Sequence, residues 1–160
     1  MRKQILDILN RNARLTVAEI AERLAIEEKV VAEEISTMEK AGIIKGYKVI
    51  VNEEALNLSS VKAIIKVKAI PERDKGFDKI ARRICNFSEV ISMHLMSGEY
   101  DFRLEVQGET LQQVEHFVSS KLSTIEGVTG CSTHFMLKKY KEFGTIINRE
   151  DEYERLKATP

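Results

Sequence analysis

The stretch that decides the fold is SEVISMHLMSGEYDFRLEVQGET, residues 88–110. Apolar side chains alternate with polar ones on both sides of Ser97-Gly98-Glu99, first at Ile91, Met93 and Leu95 and then at Phe102, Leu104 and Val106. A period of two predicts a strand on each side, and the glycine-containing segment between them predicts a tight corner. Tyr100 and Asp101 follow at once, so the corner is a candidate ligand site as well as a turn.

The segments around this hairpin complete a larger pattern. Residues 61–69 alternate in the same way and predict a first strand. Helical spacing follows from Phe77 to Cys85 and again from Leu111 to Leu122, and TGCSTHFMLKKY, residues 129–140, predicts a last strand. The order β-α-β-β-α-β predicts a ferredoxin-like α/β sandwich.

The N-terminal part of the chain has the pattern of a winged helix-turn-helix. Three short helices are predicted; Thr16 and Glu19 form a capping box at the start of the second, and Gly42 ends the third. IIKGYKVIV, residues 43–51, alternates like a small hairpin and would form the wing. The short connection around Ala25 suits a helix-turn-helix.

The chain is therefore predicted to be an α+β protein of two units. The predicted boundaries, in chain order, are the winged helix-turn-helix at 1–51, a linker at 52–60, the sandwich at 61–141 and a C-terminal tail at 142–160. In the tail, GTII, residues 144–147, would add an edge strand, and EDEYERLK, residues 150–157, would form a short helix. The alternative for the tail is a mobile charged terminus.

The predicted sheet has a face that its helices do not cover. The covered face is expected to carry Ile91, Met93, Leu95, Phe102, Leu104, Val106, Cys131, Phe135 and Leu137. The open face would carry Ile64, Ser92, His94, Met96, Arg103, Ser132, His134 and Met136. This mixture of apolar and polar side chains suits a self-complementary contact, which predicts a homodimer with stacked sheets. The alternative is an ordinary solvated face.

Composition limits the partners. The 160 residues contain 25 basic and 25 acidic side chains, which argues against indiscriminate binding of polyanions. No segment is long and apolar enough to span a bilayer, and the first residues do not resemble a signal peptide. We therefore expect a cytoplasmic protein without a membrane partner. Cys85 and Cys131 are expected to be unpaired, buried and reduced.

No catalytic motif is present in the sequence. The nucleophile elbow, the zinc-protease motif, the phosphate-binding loop and the dinucleotide-binding loop are all absent. His94 and His134 are predicted on the open face, but on opposite edge strands, too far apart to share a metal ion. The sequence therefore predicts no catalytic residue, no metal site and no cofactor.

Both units together resemble a known family. ILDILNRNARLTVAEIAERLAI and ISTMEKAGIIKGY, residues 5–26 and 35–47, are similar to the helix-turn-helix of the leucine-responsive and asparagine-responsive (Lrp/AsnC) regulators. LMSGEYDFRLEV and KLSTIEGVTGCSTHFML, residues 95–106 and 121–137, resemble their effector-sensing domain. The resemblance implies a transcriptional regulator that binds operator DNA, forms dimers and higher oligomers such as octamers, and senses a small molecule, usually an amino acid.

The resemblance also implies an effector site at the corner, between dimers. The matching residues are Gly98, Glu99, Tyr100, Asp101, Ser132 and Thr133. A glycine lets the backbone approach a ligand closely. Asp101 would bind the ammonium of an amino acid, and backbone N–H groups would bind its carboxylate. The alternative is a simple hairpin in which Asp101 accepts hydrogen bonds from turn amides.

The predicted DNA-reading helix departs from the family pattern. EEKVVAEEISTMEK, residues 27–40, is rich in glutamate, and Glu34 stands where an arginine is usual. Carboxylates in a phosphate-lined groove oppose binding. The candidate DNA contacts are Thr16, Lys29, Ser36, Thr37, Lys40, Lys45 and Lys48. Two alternatives stay open: an oligomeric ligand sensor of the same fold that has lost DNA binding, and an enzyme like the siroheme decarboxylases, which share this architecture.

Overall fold

The computed structural model describes residues 1–56, 60–71, 73 and 76–147. The chain divides into two compact units, residues 1–50 and 51–160, and each is described by itself. The first unit consists of α1 (Arg2–Arg11), α2 (Val17–Leu24) and α3 (Glu28–Lys40).

The three helices form the predicted helix-turn-helix around a small core. Its fully buried members are Ile5, Ile20, Ala21, Val31 and Met38. The capping box at the start of α2 is confirmed: the Thr16 side chain accepts from the Glu19 N–H, and the Glu19 carboxylate accepts from the Thr16 N–H at 2.7 Å. Ala25 adopts a left-handed conformation, with φ 53°, and ends α2.

The structure has no strand in residues 43–51, where the sequence predicts the hairpin of the wing. Ile44 packs against the helical core, but Ile43 and Val49 are exposed. A two-stranded hairpin needs a surface on which to bury its apolar side. Because these side chains find no such surface within the unit, alternation in the sequence does not produce a ribbon.

The second unit is the predicted ferredoxin-like sandwich. Its elements, in chain order, are β1 (Val61–Ala69), α4 (Asp78–Cys85), β2 (Val90–Leu95), β3 (Phe102–Gly108), α5 (Leu111–Phe117) and β4 (Val128–Phe135). The strands form one antiparallel sheet in the order β2-β3-β1-β4. A π-helical turn, Val118–Leu122, continues α5 and buries Leu122 beside Phe117.

The core lies between the sheet and the helices. β1 contributes Ala63, Ile65 and Val67, and β3 contributes the predicted Phe102, Leu104 and Val106. The helices contribute Ile80, Ile84, Val114, Phe117 and Leu122. Phe77 meets Phe102 edge to face at 5.3 Å between ring centroids, and Phe87 meets Phe117 at 5.5 Å, arrangements that aromatic pairs favour.

Three residues predicted on the covered face are exposed instead. The exposed fractions are 39% for Ile91, 61% for Leu95 and 96% for Leu137. The pairing of β2 with β3 shifts between Val90 and Ser92, which takes Ile91 out of the alternation. Leu95 ends an edge strand, and Leu137 lies beyond the end of β4. Cys85 is also exposed rather than buried, and both cysteines are unpaired as expected.

Beyond the sandwich the chain forms a separate two-stranded ribbon. β5 (Lys141–Glu142) pairs with β6 (Thr145–Ile146). Phe143 and Gly144 both have positive φ, as the tightest hairpin turns require. The prediction that GTII adds an edge strand to the main sheet is therefore wrong: Thr145 and Ile146 pair with Lys141 and Glu142 instead. The helix predicted for residues 150–157 lies outside the described residues.

Candidate effector and nucleic-acid sites

The corner between β2 and β3 is fixed at both ends by backbone hydrogen bonds. The Met96 N–H donates to the Asp101 carbonyl at 2.8 Å, and the Asp101 N–H donates to the Val67 carbonyl of β1 at 3.0 Å. Gly98 has φ +133°, a region that only glycine occupies readily, and a Cβ placed on it would meet no atom within 4 Å. The corner is therefore rigidly attached, with open space above its glycine.

Asp101 has a structural partner. Its Oδ2 atom accepts from the Ala69 N–H at 2.8 Å, and the residue is half-buried. The hydrogen bond ties the corner to the end of β1, and its donor is a strand amide rather than the turn amide expected in the hairpin alternative. Glu99 is exposed, and the ring of Tyr100 lies over the Lys66 ammonium, with 5.2 Å from Nζ to the ring centroid.

The structure separates Ser132 from Thr133. Ser132 pairs in register with Lys66 and lies on the open face, where its Oγ is 3.1 Å from the His134 Nε2. Thr133 pairs with the buried Ile65, so alternation places its side chain on the covered face. The predicted effector residues Ser132 and Thr133 therefore do not share a face of the sheet.

A row of basic side chains crosses the open face beside the corner. Lys66 of β1 lies directly opposite Arg103 of β3, which in turn lies opposite His94 of β2. Lys66 and Arg103 are half-buried. His94 and His134 lie on opposite edge strands, as the sequence predicts. Lys66 was not predicted as a site residue; period two gives its face, but only the register between β1 and β3 pairs it with Arg103.

One cavity lies on the other side of the sheet. It has a volume of ≈ 340 Å³ between the end of β3 and α5, and it is lined mainly by Val106, Gly108, Val114, Phe117 and Lys121. The Lys121 ammonium lies 2.5 Å from the Glu89 carboxylate, which lowers the pKa of Glu89. None of the predicted effector residues lines this cavity.

Helix α3 turns most of its carboxylates away from its outer surface. With about 100° of rotation per residue, the face opposite the buried Val31 and Met38 carries Lys29, Glu33, Ser36, Thr37 and Lys40. Glu33 is the one carboxylate among these five side chains. The outer face therefore has two cations, two hydroxyls and one anion, although the helix as a whole is acidic.

Two carboxylates at the sides of α3, Glu34 and Glu39, have partners inside the first unit. Glu34 Oε2 accepts from the Arg2 Nε at 2.6 Å, and its side chain is 21% exposed. Glu39 accepts from the Tyr47 hydroxyl at 2.9 Å. Burial, together with this carboxylate, raises the pKa of Tyr47. Glu34, in the usual arginine position, therefore binds α1 instead of facing outward.

The other predicted DNA contacts differ in availability. The Thr16 hydroxyl is engaged in the capping box, and the Thr37 hydroxyl donates to the Glu33 carbonyl at 2.7 Å. Lys29 lies 4.0 Å from Glu33, an exposed pair one helical turn apart. Lys40, Lys45 and Lys48 are exposed, and Ser36 is half-buried. Among the predicted DNA contacts, the exposed cations are therefore the lysines of α3 and of the segment that follows it.

A helix-turn-helix with a cationic outer face, followed by a ferredoxin-like sandwich with an open corner, defines a two-domain DNA-binding regulator with a sensing domain. The winged helix-turn-helix DNA-binding family matches residues 1–45, and the Lrp/AsnC ligand binding domain matches residues 62–146. The chain is 38% identical to the HTH-type transcriptional regulator YugG of Bacillus subtilis over 158 residues, 98% of this chain and 95% of the relative. It belongs to the Lrp/AsnC family of transcriptional regulators.

Solved structures agree with this assignment. A transcriptional regulator of Neisseria meningitidis in complex with L-Met is 29% identical, with a TM-score of 0.69 over 88% of this chain and 90% of that one. The structure of Escherichia coli AsnC has the same fold, with 22% identity and a TM-score of 0.67 over 92% and 96% of the two chains.

The relatives are regulators, not enzymes, which sets aside the siroheme-decarboxylase alternative. Over residues 1–56, 60–71, 73 and 76–147, no cluster of three or more histidine, cysteine or acidic side chains could bind a metal ion. Within the same ranges, no helix is long and apolar enough to cross a membrane.

Proposed function

We propose that this regulator binds operator DNA through the outer face of α3, as a cytoplasmic homo-oligomer, and that an amino acid bound at the corner between dimers controls its assembly on DNA. The main support for the effector site is the set of unpaired backbone N–H groups at the corner. The N–H groups of Gly98, Glu99 and Tyr100 donate to no atom of the described residues. Successive unpaired N–H groups are suited to bind a carboxylate.

An amino acid as effector is supported by the Neisseria neighbour. That protein has bound L-Met, and it shares 29% of its sequence with this chain. The ammonium of such a ligand needs an acceptor. Glu99 is exposed at the corner, whereas one oxygen of Asp101 is already engaged by Ala69. We therefore propose that Glu99 binds the ammonium together with the remaining oxygen of Asp101.

Dimerisation through the open face is supported by its surface chemistry. Ile64 is half-buried and Met96 is 37% exposed, and they stand among serine, histidine and arginine side chains. Such a mixed face resembles a protein interface more than a solvated sheet. An effector bound where two dimers meet would change their arrangement and with it the spacing of the DNA-binding units, by reciprocal linkage.

The proposal is tested by mobility shift on the promoter region of the protein's own gene, at several stated salt concentrations and with each of the twenty amino acids. Operator binding gives an affinity that falls steeply as salt rises. An effective amino acid also raises the melting temperature, because it binds only the folded chain.

Substitution of Gly98 by valine tests the location of the effector. Valine is strained at φ +133°, so the corner must change shape, at a cost of about 1–3 kcal/mol that the sandwich tolerates. The amino-acid response should disappear while the folded signal remains. Survival of the response would move the effector site away from the corner.

The alternative is a ligand-sensing oligomer without DNA binding, and the acidity of α3 favours it. In that case no promoter fragment shifts at low salt, but an amino acid still raises the melting temperature. Selection of bound fragments from random DNA separates the two functions, since only a regulator enriches a sequence.

A further inference from the structure

We propose that Lys66 and Arg103 bind a second carboxylate of the effector, so that this regulator senses an acidic amino acid or a related dicarboxylate rather than a neutral amino acid. The inference rests on the effector site proposed at the corner. It adds to that site the two cations at the corner end of the open face, next to the pair formed by Val67 and Phe102, and it assigns them to the ligand rather than to the contact between stacked sheets.

The first argument is the energetic penalty of the basic row. Lys66 and Arg103 occupy directly opposite positions on neighbouring antiparallel strands and point to the same face. Opposite side chains on such strands are about 4.5–5.5 Å apart at Cβ, and like charges there destabilise the sheet. His94 continues the row on the other side of Arg103. The repulsion between these two cations lowers the stability of the ligand-free sheet, and a bound anion would offset it.

The second argument is that the described residues do not neutralise this pair. Neither Lys66 nor Arg103 forms an ion pair within the described ranges. Glu105 is the carboxylate on the same face in the next row, where it lies opposite Ile64 and Ser92 rather than opposite a cation. Both cations are half-buried, so their charge is less screened by solvent than that of a surface lysine.

The third argument is the position of the pair. The Tyr100 ring belongs to the corner, and its centroid lies 5.2 Å from the Lys66 ammonium, so this cation contacts a side chain of the corner. Ser132 lies across Lys66 on its other side, with its hydroxyl 3.1 Å from the His134 Nε2. If one carboxylate of a ligand binds at the corner, the rest of the ligand therefore lies against a cationic surface rather than an apolar pocket.

The donors of Arg103 and Lys66 favour a carboxylate as the ligand group, because the planar guanidinium of an arginine matches its two oxygens. Arginine binds carboxylates through two parallel N–H donors, and lysine adds a point charge. Phosphate would satisfy the same donors, so the test has to separate the two anions. The neutral side chain of leucine or methionine would leave both cations without a counter-charge.

Calorimetric titration of the full-length protein, at constant ionic strength, provides the test. The ligands are L-glutamate, L-aspartate, 2-oxoglutarate, L-methionine, L-leucine and inorganic phosphate. We expect at least one dicarboxylate to bind about tenfold or more tightly than methionine or leucine, the ratio that one additional charge-assisted hydrogen bond gives. Lys66→Gln and Arg103→Gln should each remove about that factor for the dicarboxylate only.

Arg82→Gln is the matched control, because Arg82 is an exposed arginine of α4 on the covered side of the sheet. It should leave every affinity unchanged. Ligand-free Lys66→Gln should melt no lower than the wild type, since it relieves the like-charge contact with Arg103. A clear loss of stability would show that a counter-charge from the protein already neutralises the lysine.

Four outcomes would overturn the inference. Tight binding of methionine or leucine with no binding of dicarboxylates would do so while leaving an amino-acid effector in place. Phosphate binding as tight as that of the dicarboxylates, and equally lost in both variants, would indicate a general anion site. If Lys66→Gln or Arg103→Gln loses the dimer in sedimentation while its ligand affinity stays unchanged, the cations belong to the subunit interface. Failure of all six ligands in the wild type, with an unlisted amino acid active in the melting assay, would refute the dicarboxylate class alone.

Discussion

Helix α3 and the open face of the sheet use their charges in opposite ways. The helix is rich in glutamate, but the fold turns Glu34 and Glu39 to partners and leaves an outer face with two lysines. The sheet belongs to a chain of zero formal charge, yet register collects Lys66 and Arg103 in one row without an acidic partner among the described residues. The charge that a ligand meets is therefore set by periodicity and pairing, not by composition.

The largest expected effect concerns the lysines of α3. Changing both Lys29 and Lys40 to glutamine should weaken operator binding roughly 50- to 100-fold at about 0.1 M salt and reduce the slope of log affinity against log salt by about 2, because each phosphate contact contributes about 0.9 to that slope. Mobility shift across a salt series measures both quantities. The control is Arg82→Gln with Arg83→Gln on α4. An unchanged slope would show that the outer face of α3 does not contact phosphates.

The next effect separates structure from binding at the corner. Asp101→Ala removes the acceptor of the Ala69 N–H and should lower the free energy of unfolding by about 1–3 kcal/mol. Asp101→Asn retains an acceptor oxygen and should lose less. Urea unfolding measures the difference, with exposed Glu99→Ala as a control within about 0.5 kcal/mol of wild type. Equal stability of all three variants would contradict the structural role of Asp101.

A smaller effect tests the division of carboxylates on α3. Glu33 faces outward, and a glutamate accepts from the amino group of cytosine, whereas glutamine prefers adenine. Glu33→Gln should therefore shift one selected base from cytosine towards adenine, with a change in discrimination of about 1 kcal/mol. Selection from random DNA shows the base. Glu34→Gln should leave the selected sequence unchanged and lower stability by no more than about 1 kcal/mol, since its bridge to Arg2 is partly exposed.

The smallest effect is the pH dependence of stability. Hydrogen bonds from Thr16 lower the pKa of Glu19, and the Lys121 ammonium lowers the pKa of Glu89, both from an ordinary value of 4.5. Each carboxylate therefore stabilises the fold above about pH 4.5, and this contribution is lost as the pH falls through the lower folded-state pKa. Glu19→Gln and Glu89→Gln should each flatten the acid side of the stability profile. Thermal melts between pH 2.5 and 6 measure this. The prediction fails if the melting temperature of each variant changes with pH as steeply as that of the wild type.

Much of the fold was predictable because its signals are local. The capping box of Thr16 and Glu19, the alternation of Phe102, Leu104 and Val106, and the spacing of Val114 and Leu122 each lie within a few residues, and each is confirmed. Edge effects were not predictable. Leu95 and Leu137 obey the alternation but lie at strand ends, where no helix covers them.

The candidate site was predictable only in part, for a related reason. The glycine corner is a local motif, and the resemblance to the family pointed to it. The partner of Asp101 is Ala69 of β1, 32 residues earlier in the chain. The cation beside Tyr100 is Lys66, which also belongs to β1. Contacts between strands distant in sequence depend on register, which a single sequence specifies only weakly.

The π-helical turn after α5 is a place where the chain can lose one residue. In a regular α-helix, side chains five positions apart point in clearly different directions, yet here Phe117 and Leu122 both reach the core. A homologue one residue shorter in this turn would bring the same two side chains inward with an ordinary α-helical spacing of four. The loss of one residue within 118–121 would thus keep both side chains in the core without moving the strand that follows.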